Sequence, residues 1–540
     1  MNIWEQLNGG RSDGELQFTS SSLASSTSWG DVAAQSRRMV PALRKMGVGP
    51  GSRVAVLLSN SLESVAGLGA VWFAGGAVAS LPLRSRGMSA EEYEKQLQEI
   101  VSTLGAAFLI TDEDMRRSLP ESTVEALNVR PWLSFEGLVE GAVTPPEADD
   151  IAVIQYSSGS TGNPSGCMIS SRAIDAQISM LMEMMSAVPG SERAVCWVPL
   201  SHDMGLFGVL LTSWIHKFSL HLMSPNQFGL APASWMKNCA SYKATITVGT
   251  NTGLALATRS GRRRTLEPER LDDLRIFILG AERNEWETLA DAVAVYGPAG
   301  LRHEAFQPAY GLAEATLAVT GTPVDQRPRY VDVDPDALAE GEIQPSTGRS
   351  SVRLVSAGVA CTGTELVGVT EALTHIGVRG PALFDGYYSN PDRTAERLQD
   401  GVLRTGDLGF VVDGHLYPVG RQDDMISIGG RNVYTREIEL AIDSLDNVRT
   451  SCTTLVRSVA SGELVLMLEP TKRSVDFDQL TAHVSRIVMA KSGLAVDRCV
   501  FLAKGSIPKT PSGKIQRHRC SHLFESERLE ILYEHGGVAR

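Results

Sequence analysis

The chain has 540 residues, 43% of them hydrophobic and 21% charged, with a formal net charge of −12. That length allows one large multilayered domain or two to four ordinary ones, and the composition excludes a disordered chain. The acidic balance excludes a general nucleic-acid binder, which carries a basic stripe, but leaves room for small anions held by local groups.

The amino-terminal stretch MNIWEQLNGGRSDG lacks the basic flank and apolar block of a secretory signal. The stretch from Ser52 to Leu58, SRVAVLL, reads as a strand followed by a helix. From Ser64 to Leu83 no charge appears, and the length approaches a membrane span. Few Leu or Ile residues and the breaks at Gly75-Gly76 and Pro82 predict a buried helix running into a buried strand instead. A strand is expected at Ala106 to Thr111, with a polar helix after it. Tyr242 to Gly249 and Leu274 to Gly280 read as further strands, and NEWETLADAVAVYG has helical spacing. Repeated β-then-α units predict a mostly parallel sheet covered on both faces, with ligand sites at the glycine-bearing strand ends. Val402 to Arg421 reads as a hairpin turning at Asp413-Gly414. The expected fold is α/β: a large multilayered amino-terminal domain (1–420), a hinge at 421–424, and a small mobile α+β domain at 425–540. The seven scattered cysteines form no CxxC or CxxH pair, so neither a zinc site nor a disulfide framework is expected, and the compartment reads as a reducing cytoplasm.

One loop concentrates the chemistry. YSSGSTGNPSG, Tyr156 to Gly166, follows the apolar strand IAVIQY. Its glycines let backbone N–H groups converge on oxygens, and its hydroxyls add donors without bulk, as a phosphate cradle requires. A flexible link is the alternative reading. It is not a Walker A loop, because no Gly-Lys-Ser/Thr follows at the required spacing.

The loop resembles the phosphate-binding signature of the adenylate-forming enzymes: acyl-CoA synthetases, peptide-synthetase adenylation domains and luciferases. YGLAEAT (Tyr310 to Thr316), RTGDLGF (Arg404 to Phe410), GRQDDMISIGGRNVYTREIE (Gly420 to Glu439) and PKTPSGKIQR (Pro508 to Arg517) are similar to the family's further motifs, in the family's order. The resemblance covers nearly the whole chain. It implies that a carboxylate attacks the α-phosphate of ATP, and that a thiol then takes the acyl group from the adenylate. Lys514 would bridge the two anions, and Lys509 would be structural. Ser157, Ser158, Gly159, Ser160, Thr161 and Gly162 would hold phosphates. Glu314, with Thr161, would hold Mg²⁺. Tyr310, Gly311, Leu312 and Ala313, with Gly280, Ala281 and Glu282, would line the adenine, and Asp407 with Arg421 would take the ribose hydroxyls. Asp423 would be the hinge residue. The family commonly carries lysine where this loop has Ser165.

WVPLSHDMGLFG (Trp197 to Gly208) and the long connection from Gly321 to Arg349, with its segment VDPDALAEGEI, resemble the fatty-acyl-AMP ligase branch. There an extra segment restricts the small domain, and the acceptor is the phosphopantetheine thiol of an acyl carrier protein, here expected as a separate chain. His202 would act at the carboxylate end of the acid, with Asp203, Met204, Gly205, Gly249 and Leu254 around the substrate. Thr252-Gly253-Leu254 stands where the branch usually has an aromatic pair, so a short, branched, hydroxylated or aryl acid stays open. Also open are a CoA ligase of the same fold, a free-standing amino-acid or aryl-acid adenylation enzyme, and a non-catalytic nucleotide-binding homologue. KIQRHR, Lys514 to Arg519, is the candidate basic patch for an acidic carrier.

Overall fold

The computed structural model describes residues 3–9, 14–19, 24–84, 88–156, 164–262, 270–348, 351–421, 425–428, 431–458, 461–492, 494–510 and 513–536. The uncharged run that begins at Ser64 folds inward. Ser61 caps the helix Leu62–Phe73 by accepting from Ser64 N, and every residue from Ser64 to Phe73 is buried. Strand Ala77–Ser80 follows, buried at each position. Burying one large apolar side chain is worth about 1.5–3 kcal/mol, so Val65, Leu68, Val71, Trp72 and Phe73 bind this helix firmly into the main core. Among the described residues no helix is long and apolar enough to cross a membrane.

Strand Ala77–Ser80 belongs to a six-stranded sheet ordered Val129–Pro131, Leu109–Thr111, Arg53–Val56, Ala77–Ser80, Ile151–Tyr156, Gly166–Ser170. Its strands run parallel up to Ile151–Tyr156, and Gly166–Ser170 returns antiparallel after the glycine-hydroxyl loop. A nine-stranded sheet lies alongside in the chain order. Its centre is parallel through Ser219–Met223, Arg193–Cys196, Ile246–Gly249, Ile276–Leu279 and Phe306–Gly311. The carboxyl ends of the last three deliver Thr250, Gly280 and Leu312, where a doubly wound sheet opens its crevice.

A third, antiparallel sheet is built round the hairpin Val402–Val412 and His415–Arg421. Asp413 and Gly414 take φ of 51° and 76°, the left-handed pair that a two-residue turn requires. From Met425 onward the chain forms a short hairpin and then a four-stranded sheet ordered Val448–Arg457, Leu464–Pro470, Arg498–Leu502, Ile531–Gly536. Helices Thr435–Asp443 and Phe477–Ser492 cover one face through Ile438, Ile442, Val484 and Val488. Helix Arg517–Glu525 covers the other through Cys520.

This last unit is fastened to the rest by polar contacts. Arg519 and Arg528 reach Glu92 at 2.5 and 2.8 Å, and Arg259 donates to Thr450 at 2.5 Å. Arg517 is paired at 2.5 Å with the fully buried Glu439. The basic run at Lys514 to Arg519 is therefore not an outward patch: two of its three arginine and lysine side chains are spent on carboxylates, and Lys514 faces a cavity. The expected hinge positions 422–424, Asp423 included, lie outside the described residues.

Candidate active site

Two adjoining cavities, of about 240 and 220 Å³, open where the carboxyl ends of the parallel strands meet the carboxyl-terminal unit. They share a wall made by Ala281, Tyr310, Gly311, Leu312, Arg421 and Lys514. Lys514 is aimed by a tight turn. Gly513 N donates to Thr510 O at 2.8 Å, Thr510 N to Lys514 O at 2.8 Å, and Lys514 N to Thr510 Oγ1 at 3.1 Å. Gly513 has φ of 93°, a conformation that a residue with a Cβ adopts only under strain.

The second cavity is lined by Glu282, Asn284, Asp407 and Arg421. Tyr310 Oη donates to Asp407 Oδ2 at 2.6 Å, and Arg421 Nε donates to Asp407 Oδ1 at 3.1 Å. Burial, then the Asp407 charge, pushes the Tyr310 phenol well above its usual range, so it stays a neutral donor. Glu282 turns toward the helix Asn251–Gly261, accepting from Thr252 N and, at 3.0 Å, from Thr252 Oγ1.

The first cavity is lined by both apolar and charged side chains. Leu181, Met184, Met204, Val248, Ile278 and Leu317 are among the apolar ones. His202 and Asp203 also line it, just before the wide π-helical turn Met204–Leu211. Burial works against a charged His202, but the Asp203 carboxylate 2.5 Å from its Nδ1 outweighs burial and raises the imidazole above its ordinary value, with Lys514 opposing. Glu314 lines the same cavity, and Tyr387 Oη donates to its Oε1 at 2.7 Å. Burial and the Glu314 charge push the Tyr387 phenol up, which keeps it protonated.

Of the residues expected from sequence, Gly280, Ala281, Glu282, Tyr310, Gly311, Leu312, Ala313, Glu314, Asp407, Arg421, His202, Asp203, Met204 and Lys514 line one or both cavities. Gly205, Gly249 and Leu254 line neither. A Cβ on Gly205 would meet Pro199 O at 2.2 Å and one on Gly249 the Trp235 ring at 2.4 Å, so both serve close packing. Leu254 is fully buried in the main core. Ser157 to Gly162, Thr161 included, lie outside the described residues. Lys509 is buried, with Nζ 3.2 Å from Cys452 Sγ.

Sequence reasoning missed four contributors. Gln155 donates to Ser201 O at 2.7 Å, ties the strand before the loop to the His202 segment, and leaves its buried Oε1 without a hydrogen-bond partner among the described residues. Tyr387, which orients Glu314, and Arg393 and Arg397, which line the first cavity, come from GYYSNPDRTAER. No glycine signature marks that stretch. The one available signal was the absence of lysine at Ser165, which called for a cation from elsewhere.

This fold and site define the class of AMP-binding, adenylate-forming enzymes. The chain belongs to the AMP-binding enzyme family, whose pattern matches residues 14–388, and residues 423–534 match the Disco-interacting protein 2-like AMP domain. It is 29% identical over 539 residues to the medium-chain-fatty-acid–[acyl-carrier-protein] ligase JamA of Moorena producens, covering 92% of this chain and 90% of that one. It is 28% identical over 550 residues to the 4-hydroxyphenylalkanoate adenylyltransferase of Mycobacterium marinum, covering 92% and 86%. Among solved structures, one from work on fatty acyl-adenylate ligases of E. coli and L. pneumophila superposes with a TM-score of 0.88 at 25% identity, covering 97% of this chain and 98% of that one. The L. pneumophila fatty acyl-adenylate ligase in complex with acyl adenylate and pyrophosphate shares the fold, with a TM-score of 0.73 at 23% identity, covering 99% and 98%.

Proposed function

We propose that the protein activates a fatty or related carboxylic acid with ATP and passes the acyl group to the phosphopantetheine thiol of a separate acyl carrier protein. The observation that carries this reading is the position of Lys514 on the wall shared by the two cavities. The nucleoside lies in the second cavity, with Tyr310 against the adenine and the Asp407 carboxylate, braced by Arg421, accepting from the ribose hydroxyls. The acid lies in the first cavity, tail among Leu181, Met184 and Leu317, carboxylate near His202. Lys514 then stands between acid and α-phosphate. Its ammonium offsets the repulsion of two anions as the carboxylate oxygen bonds to the α-phosphorus and the bond to the β-phosphate breaks. Pyrophosphate leaves, held until then by the loop Ser157–Gly162.

Glu314 fits a Mg²⁺ site of the kind that takes one protein carboxylate and draws its other ligands from phosphate and water, because it lines the cavity with its carboxylate held by Tyr387. Bound there, the ion would neutralise phosphate charge. His202, held by Asp203, positions the acid. In the second step the thiol sulfur attacks the acyl carbon and AMP leaves. We place the pivot for that change at Asp423, between units 1–420 and 425–540. The segment at Pro335–Ala339 supports a restricted pivot: it packs against strand Arg431–Tyr434, and its hairpin joins Leu338, Leu354 and Phe410 in one cluster. That restriction favours a carrier over free CoA, the second reading. All seven cysteines are unpaired and buried, which fits a cytoplasmic setting.

Exchange of labelled pyrophosphate into ATP across a panel of acids tests the first step. Transfer from the adenylate to a phosphopantetheinyl carrier and to CoA, side by side, tests the second. Exchange with a fatty acid and faster transfer to the carrier are expected. No exchange with any fatty, aryl or hydroxy acid in a folded sample refutes the reading.

A further inference from the structure

The loop that ends at Gly166 carries Ser165 where the family it resembles commonly has a lysine. The structure brings a replacement from far along the chain. Arg393 Nη1 donates to Ser165 Oγ across a sequence separation of 228 residues. Its guanidinium carbon lies 4.7 Å from the centre of the Tyr387 ring, and Tyr387 in turn holds Glu314. One helical turn on, Arg397 Nη1 donates to Arg404 O at 3.2 Å. Gly406 makes room for it, since a Cβ there would lie 2.5 Å from that nitrogen.

Three features separate this pair from an ordinary surface. Both arginines line the cavity that also holds Glu314 and Lys514. On the helix Pro391–Arg397 they occupy the half-buried face, while Asp392 and Glu396 are exposed. The helix thus turns its cations inward and its carboxylates to water, the reverse of what self-neutralisation would favour. Among the described residues the partners of Arg393 are a hydroxyl and a ring, and that of Arg397 is a carbonyl; none is a carboxylate. Two like charges four residues apart repel, and turned into one cavity they call for an anion between them.

We propose that Arg393 and Arg397 form the receptor for the β- and γ-phosphates of ATP, and for the pyrophosphate that leaves, taking over the task of the absent loop lysine. The assignment rests on the adenylation reading above. Guanidinium forks suit phosphate oxygens better than an ammonium does.

The test is equilibrium binding of AMP, ATP and inorganic pyrophosphate to the full chain and to Arg393→Gln, Arg397→Gln and the double variant, by calorimetry. ATP and pyrophosphate are expected to weaken on the order of 10- to 100-fold in the double variant, the range that charge-assisted hydrogen bonds carry. AMP, which lacks those phosphates, is expected to bind within about twofold of the parent. Adding Ser165→Lys to Arg393→Gln should restore most of the lost affinity, which a merely structural role for Arg393 would not allow. Unchanged ATP and pyrophosphate binding, or equal weakening of AMP, overturns the assignment while leaving the adenylation reading intact. A parent chain that binds neither AMP nor ATP overturns both.

Discussion

Replacing Lys514 with alanine removes the one ammonium that borders both cavities among the described residues. At about 4 Å and an effective dielectric near 20, a unit charge pair is worth about 4 kcal/mol. The carboxylate and the α-phosphate approach only as the new bond forms, so most of one such interaction is specific to the transition state. With about 1.4 kcal/mol per factor of ten, adenylate formation should fall about 10³-fold. The turn that carries Lys514 is closed by backbone atoms and Thr510 Oγ1, so the truncation should leave the fold intact. The assay is pyrophosphate exchange for the first half-reaction and carrier loading from preformed acyl-adenylate for the second. The second should fall less than about tenfold, because no pair of anions needs bridging there. A folded Lys514→Ala protein that keeps exchange within tenfold of the parent would refute the reasoning, as would equal losses in both halves.

Gly513→Ala strains a residue at φ 93° and should cost about 1 kcal/mol of stability while lowering exchange more than carrier loading, because the turn aims Lys514; an unchanged ratio of the two half-reactions counts against that role. Asp443 supplies a pH signature. Its carboxyl is pushed up to about 7 from 3.8, chiefly by burial. The folded state therefore keeps a proton that the unfolded state loses, and stability drains away as pH rises from about 4 to about 7, with about 2–4 kcal/mol gone above that. Asp443→Asn keeps the oxygen that accepts from Cys452 N and should raise the thermal midpoint by about 5 °C at pH 8 but little at pH 4. A gain equal at the two pH values, followed by calorimetry, would contradict it.

Local chemistry made much of the protein legible in one dimension. A strand declares itself by a continuous apolar run, as at Ile276–Leu279, and the turn at Asp413-Gly414 declares itself because few residues tolerate positive φ. Tyr310, Glu314, Asp407 and Lys514 were singled out through the resemblance of the short stretches that carry them to the family's motifs, and the fold brings all four to the walls of the two cavities. Facing was not readable. Gly205, Gly249 and Leu254 sit near cavity-lining neighbours in the chain, yet their own contacts are Pro199, Trp235 and the core. Pairing across the fold was not readable either. Nothing near Ser165 names Arg393 as its donor, nothing near Glu314 names Tyr387, and the arginines of KIQRHR look free until Glu439 and Glu92 are brought to them.

The strand–helix alternation, the positions of the turns and the types of chemical group available were thus set locally along the chain, because these depend on dihedral preference and burial within a few residues. Which charges meet was settled by the folded arrangement alone, since an electrostatic contact depends on distance in space, and the packing of three sheets and a carboxyl-terminal unit sets those distances.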